Sequence, residues 1–194
     1  MTKRALILGG TSGLGLEIAK LFSADGVMPI VVGRTAEPVG KTCGFEYVTC
    51  DLAVPDAPQL ILHEIGDLST VAYLVVAGGE LLPGKVAEQD PATIDHLWQV
   101  NLMAPKRLVR DFTVARRSGY QLVTVASTSA TIPRTNETEY ASVQAARRQW
   151  SLSFHHELLD LCAGSRNLVV CPGGMATEAW GKVGKEPQNF MQPV

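Results

Sequence analysis

The chain has 194 residues, 46% of them hydrophobic, which suits one globular domain with a sizeable core. A formal net charge of -2 lacks the basic surplus that a nucleic-acid or polyanion partner demands. The cysteines Cys43, Cys50, Cys162 and Cys171 form no CxxC pair, and His63, His96, His155 and His156 complete no ligand spacing, so we read reduced thiols and no metal site.

The first stretch, MTKRALILGG, places two basic residues before a short apolar run that ends in glycine. The run is too short for the apolar part of a signal peptide and is read as a buried strand, which points to a cytoplasmic protein. No segment approaches the length of a membrane span, so no membrane partner is expected. In chain order the expected strands are residues 5–8, 29–32, 47–50, 71–77, 121–126 and 168–171, all rich in Val, Ile and Leu. Between them the helical spacing covers 14–24, 59–65, 92–117 and 141–162. Strands that are apolar throughout and alternate with helices imply a mainly parallel sheet of about six strands, covered on both faces: a three-layer, doubly wound Rossmann fold. The domain is expected over 1–180, with 181–194, polar and containing Gly and Pro, as a loop or disordered tail.

The first strand runs into LGGTSGLGLEIAKLF, in which Gly9, Gly13 and Gly15 form a G-x-x-x-G-x-G turn. Glycine there lets the backbone turn tightly and approach a pyrophosphate at the N-terminus of the next helix. A glycine turn alone is weak evidence, but its place between a strand and a helix favours a nucleotide site. The second strand ends in VVGRTA, where Gly33 and Arg34 stand in place of the acid that would bind the ribose hydroxyls of NAD. Gly33 is read as leaving room for a 2'-phosphate and Arg34 as pairing with it, so NADP(H) is the expected cofactor.

With these residues, and with others further along, the sequence resembles the short-chain dehydrogenase/reductase family from Leu6 to about Thr177. The glycine turn is similar to that family's cofactor loop, although Leu8 stands where a threonine is usual. Asp51 in TCDLA is similar to an acid that contacts adenine. VVAGG, residues 75–79, is similar to an Asn-Asn-Ala-Gly segment in which Ala77 and Gly78 are kept and both asparagines are valines. Asn101 in WQVNLMAP is similar to the asparagine that supports a proton-relay water. Ser127 is similar to the catalytic serine, with Tyr140 thirteen residues on. PGGMAT, residues 172–177, is similar to the turn beside the nicotinamide amide. Each of Ser127, Asn101 and Asp51 alone could be an ordinary strand-end or capping group. Thr128 and Ser129 rival Ser127 and are set aside on spacing.

The resemblance implies cofactor contacts from Gly9, Thr11, Ser12, Gly13, Leu14, Gly15, Arg34, Asp51, Leu52, Ala77, Gly78, Tyr140, Gln144, Pro172, Gly173 and Thr177. It implies catalysis by Ser127, Tyr140, Asn101 and Gln144. It also implies a small-molecule carbonyl or alcohol substrate, and a homodimer or homotetramer built on helices 101–116 and 141–161. Leu102, Leu108, Phe112, Trp150 and Phe154 lie along those helices, and core burial is the rival account of them. The further strand and substrate lid that the resemblance implies after Thr177 are expected to be missing, as in either a truncated chain or a naturally minimal member with an open pocket.

The departure with most chemical consequence is Gln144, where the family carries lysine. Tyr140 and Gln144 are four apart and share a helix face. In the family the tyrosine is the acid or base, the serine holds the reacting oxygen, and the lysine binds ribose and lowers the tyrosine pKa from its ordinary value of about 10. Glutamine can bind ribose but brings no charge. Oxidation needs a phenolate, now scarce, whereas reduction needs the phenol, so the expected activity leans towards reduction. Arg147, seven residues past Tyr140, is read as a surface or subunit-interface arginine, with a restored positive charge as the alternative. Three functions stay open: an NADPH-dependent carbonyl reductase, a non-catalytic or regulatory NADP(H)-binding relative, and a non-redox dehydratase or isomerase.

Overall fold

The structure, a computed structural model, describes residues 2–35, 44–177 and 179–184. Six strands form one sheet: β1 (Arg4–Leu8), β2 (Met28–Gly33), β3 (Glu46–Thr49), β4 (Val71–Val76), β5 (Gln121–Val125) and β6 (Arg166–Val170). Their order is β3-β2-β1-β4-β5-β6 and every pairing is parallel. The helices are α1 (Gly13–Ala24), α2 (Ala57–Ile65), α3 (Pro91–Trp98), α4 (Ala104–Arg116), α5 (Thr138–Leu161) and α6 (Ala179–Lys182).

Alternation along the strands builds the two halves of the core. Leu6, Leu8, Ile30, Val32, Leu74, Val76 and Leu122 face one side and pack with Ile61, Leu108, Phe112, Phe154 and Leu158 from α2, α4 and α5. Ala5, Ile7, Val31 and Val75 face the other side, under Ala19, Ile18 and Phe22 of α1. A central strand thus buries both of its faces, which is why β1, β2 and β4 read as unbroken apolar runs. The edge strand β6 does not: Leu168 and Val170 are exposed. Its first residues, Arg166 and Asn167, are polar yet pair with Gln121 and Leu122. The strand therefore begins two residues before its apolar stretch.

The order reverses direction at β1, so the C-terminal ends of β1 and β4 diverge and open a crevice, where ligands of such sheets bind. All of the candidate site residues lie along that edge or on helices next to it.

Three expectations change. The single helix over 92–117 is two helices separated by a wide π-helical turn at Gln99–Met103. Pro105, at the start of α4, has no N–H to offer the carbonyl four residues back, at Asn101, and its ring crowds that carbonyl, so the regular ladder opens there. Residues 181 and 182 belong to the short helix α6 rather than to a loop, and Gly184 follows it with φ of 68°. Residues 185–194 of the expected tail lie outside the described residues. Leu102, Leu108, Phe112 and Phe154 are buried within this chain, and Trp150 stacks on Phe154 with centroids 5.0 Å apart. Core packing therefore accounts for the apolar stripe read as a possible subunit face.

Candidate cofactor cleft and active site

The turn from β1 to α1 is built so closely that side chains are excluded from it. Gly9 has φ of 76°, and a Cβ there would lie 2.3 Å from the Cα of Gly78. A Cβ on Gly15 would lie 2.1 Å from the Gly9 carbonyl oxygen. The loop after β4 is held against this turn, since the N–H groups of Ala77 and Gly78 both donate to the Leu8 carbonyl, at 3.1 and 2.7 Å. Ser12 occupies the N-cap position of α1 without a side-chain cap bond, and the first turn carries no acid. Thr11, Ser12, Gly13 and Leu14 therefore present the positive end of a twelve-residue helix at the crevice. Thr177 approaches from the other side: its Cβ is 3.6 Å from where a Cβ on Gly13 would stand. The Pro172 carbonyl accepts from the Thr128 N–H at 3.0 Å, so the 172–177 segment, with Gly173, runs between the Ser127 loop and the glycine turn.

At the end of β2 the structure differs from the simple expectation. A Cβ on Gly33 would be 2.3 Å from Thr11 Oγ1, so the space left by this glycine is filled by the Thr11 side chain. Arg34 is half-exposed and pairs with Glu80 at 2.9 Å. The other oxygen of Glu80 meets His96 Nε2, also at 2.9 Å. Since β1 lies between β2 and β4, this ion pair bridges the C-terminal end of β1. Asp51, just after β3, accepts from the Ala53 N–H at 3.0 Å, and the Leu52 carbonyl accepts from Gln99 Nε2 at 3.3 Å. That contact ties the far wall of the cleft to the π-helical turn.

Asn101 sits in that turn, fully buried. Its Oδ1 accepts from the Glu80 N–H at 2.8 Å and its Nδ2 donates to the Glu80 carbonyl at 2.9 Å. The side chain thus fixes Glu80, with one bond accepted and one donated.

Ser127 lies two residues past β5, and Tyr140 lies in the first turn of α5. The Ser127 hydroxyl accepts from the Ser129 N–H at 3.1 Å, which fixes the turn. Ser129 donates to Glu137 at 2.8 Å and Thr128 accepts from Arg134 at 2.9 Å, so both rivals of Ser127 are held elsewhere. Burial raises the Tyr140 pKa above the ordinary phenol value, while Ser127, Arg147 and Arg134 oppose that rise and Glu137 adds to it. Tyr140 is consequently a neutral phenol at physiological pH.

Gln144 is buried, and its Oε1 has no hydrogen-bond partner in the protein. Arg147 corrects the surface reading: only 3% of it is exposed. Its Nη1 donates to the Gly78 carbonyl and its Nη2 to the Val76 carbonyl, both at 2.8 Å. The buried positions of α5 are Val143, Gln144, Arg147, Ser151, Phe154 and Leu158, a stripe of helical spacing that is polar where it faces the cleft. Arg147 lies on that stripe, and this periodicity was the available signal for its burial.

Strand order, glycine turn and crevice define an α/β protein of the Rossmann type. The short chain dehydrogenase family profile matches residues 3–188, and the chain belongs to that family of oxidoreductases. The chain is 29% identical over 192 residues to a short chain dehydrogenase of Pseudocercospora fijiensis, covering 91% of this chain but only 60% of that one. It is 28% identical over 201 residues to the galactitol 2-dehydrogenase (L-tagatose-forming) of Cereibacter sphaeroides, covering 96% and 76%. In fold it is similar to a short-chain dehydrogenase of Sphingobium yanoikuyae solved in complex with NADPH, with a TM-score of 0.86 at 21% identity, over 98% of this chain and 79% of that one.

Proposed function

We propose that this chain is an NADPH-dependent reductase of a small-molecule carbonyl. The observation that carries the reading is the placement of the half-buried Tyr140 phenol beside Ser127, one helical turn before Gln144; a phenol is neutral at physiological pH, and burial moves its pKa further up. A neutral phenol is the acid that reduction needs, whereas alcohol oxidation would need its phenolate.

The residues fit a nicotinamide dinucleotide on two counts. The close contact of Gly9 with Gly78 and of Gly15 with Gly9 lets the turn after β1 fold tightly, so that the N-terminus of α1 is aimed at the crevice. The buried, unpartnered Gln144 Oε1 is an acceptor awaiting a donor such as a ribose hydroxyl. In this reading Gly9, Thr11, Ser12, Gly13, Leu14 and Gly15 hold the pyrophosphate, and Asp51 and Leu52 line the adenine side. Ala77, Gly78, Pro172, Gly173 and Thr177 flank the nicotinamide half. When bound there, the cofactor supplies a hydride. Ser127 holds the substrate oxygen by a hydrogen bond, and Tyr140 gives that oxygen its phenolic proton. Asn101 acts at a distance by fixing the loop at Glu80.

Arg34 favours the 2'-phosphate of NADP(H), and Glu80 opposite it is the observation that favours NAD(H). The Arg34–Glu80 pair is half-exposed, and such pairs contribute at most about 1 kcal/mol, so a phosphate can replace the carboxylate. Arg34→Ala should weaken NADPH binding by about 1.5–3 kcal/mol and leave NADH nearly unaffected. Glu80→Gln should tighten NADPH by a few-fold. Fluorescence titration with both cofactors checks this, and equal losses for NADPH and NADH on Arg34→Ala would reject the assignment.

The function itself is tested by following NADPH absorbance with a panel of aldehydes and ketones. Consumption that depends on the carbonyl supports reduction. Binding without consumption selects a non-catalytic role, and substrate turnover without consumption selects dehydratase or isomerase chemistry. The same reading includes a homodimer or homotetramer through α4 and α5, whose exposed apolar positions are Val114, Leu152, Leu159 and Leu161. A monomer in light scattering at micromolar concentration overturns that part.

A further inference from the structure

Arg147 is a buried arginine in the cleft wall. It projects from α5 seven residues after Tyr140, on the same face of the helix, and Gln144 lies between them. Its two terminal nitrogens fasten the helix to the carbonyls of Val76 and Gly78, at the end of β4. The valines Val75 and Val76 offer no polar side chain of their own to this part of the sheet. A brace between helix and strand does not by itself call for a charge, since a neutral amide donates to carbonyls as well. Burying an unpaired cation costs several kcal/mol, and carbonyl dipoles offset only part of that. Among the described residues no carboxylate bears on Arg147, and the ionisable group that does is Tyr140.

We infer that Arg147 is the cation of this active site: from one helical turn further along it supplies the charge that Gln144 lacks, setting the charge around Tyr140 while it ties α5 to the end of β4. Arg147 is a positioning residue, acting on substrate through Tyr140. Phenolate forms on Tyr140 as its proton passes to the substrate oxygen, and the guanidinium stabilises that developing charge. The pair is reciprocal: Arg147 lowers the Tyr140 pKa against the effect of burial, and Tyr140 raises that of Arg147, which burial pushes down to about 10. The guanidinium is therefore cationic at neutral pH. Other groups bearing on Tyr140 are the Ser127 hydroxyl, Arg134 and Glu137.

This inference rests on the reading of Tyr140 as proton donor, and its test separates the two. Tyr140 is titrated by near-UV phenolate absorbance, as the difference between each protein and its Tyr140→Phe counterpart. Arg147→Met should raise the midpoint by about one pH unit, and Arg147→Lys should keep it near wild type. In carbonyl-dependent NADPH oxidation, Arg147→Met should lower kcat about tenfold, the equivalent of one unit, with KM little changed. Adding Gln144→Lys to Arg147→Met should restore most of that loss. Circular dichroism establishes folding, and if Arg147→Met does not fold, Arg147→Gln carries the same expectation because it retains a donor. An unshifted midpoint in a folded Met or Gln variant overturns the inference, whatever the turnover. If no carbonyl is turned over but the midpoint shifts, the charge assignment stands and the reductase reading falls.

Discussion

Tyr140→Phe should leave the protein folded and binding cofactor, and should cut carbonyl reduction by about 100- to 10,000-fold, the usual contribution of a positioned general acid. The variant removes one oxygen. The aromatic ring, which gives Tyr140 its place at the start of α5, remains. The groups around the lost hydroxyl are fixed independently: Ser127 by the Ser129 N–H, Arg147 by the Val76 and Gly78 carbonyls. The other tyrosines lie elsewhere: Tyr120 is buried against Thr113 at 2.6 Å, and Tyr47 and Tyr73 pack on the α1 side of the sheet. The measurement is steady-state NADPH oxidation beside a cofactor titration. Turnover that survives the substitution unchanged would show that proton transfer uses another group. In the wild type, the same phenol predicts that reduction persists as pH rises through the ordinary tyrosine value and fails only above it, because burial holds the Tyr140 pKa high.

Gly9→Ala should damage both stability and cofactor binding. The backbone there has φ of 76°, a region in which an L side chain is strained, and the new methyl would stand 2.3 Å from the Cα of Gly78 and 2.6 Å from its nitrogen. Both obstacles are backbone, so no rotamer change relieves them. The Gly78 N–H bond to Leu8, 2.7 Å long, must stretch as the strand ends part. Strain of this kind costs about 1–3 kcal/mol, and each kcal/mol lowers Tm by about 2–4 °C in a chain of this size. Gly26→Ala is the control: its φ is 74°, yet nothing lies within 4 Å of the added methyl. Equal losses of Tm and NADPH affinity in the two variants would refute the close-contact account.

The fold was legible because central parallel strands must be apolar on both faces, and β1, β2 and β4 advertise that directly. The tight glycine turn after β1 was legible because glycine is required where Gly9 and Gly15 meet other backbone. What escaped were features that depend on which residues meet across the fold. The π-helical turn at Gln99–Met103 is hidden in a continuous apolar periodicity, although Pro105 marks the place. Glu80 as the partner of Arg34 follows from the order of β2, β1 and β4, not from any local pattern. Arg147 was misplaced because arginine is usually exposed, and that prior outweighed its position on the stripe from Val143 to Leu158. A charged residue on an otherwise inward-facing stripe, near an incomplete catalytic set, is informative for the reason that it breaks the pattern.

The pair of Arg34 and Glu80 also bears on how the protein responds to its solvent. A phosphate arriving at Arg34 does not meet a bare cation; it replaces an anion that already holds the guanidinium at 2.9 Å. Binding is then an exchange of counterions within the protein, and dissolved salt weakens the starting pair as well as the final one. The affinity for a 2'-phosphate should accordingly vary gently with ionic strength while Glu80 is present and more steeply once its charge is removed. His96, bonded at 2.9 Å to the other oxygen of the same carboxylate, gives Glu80 a second contact that does not depend on Arg34.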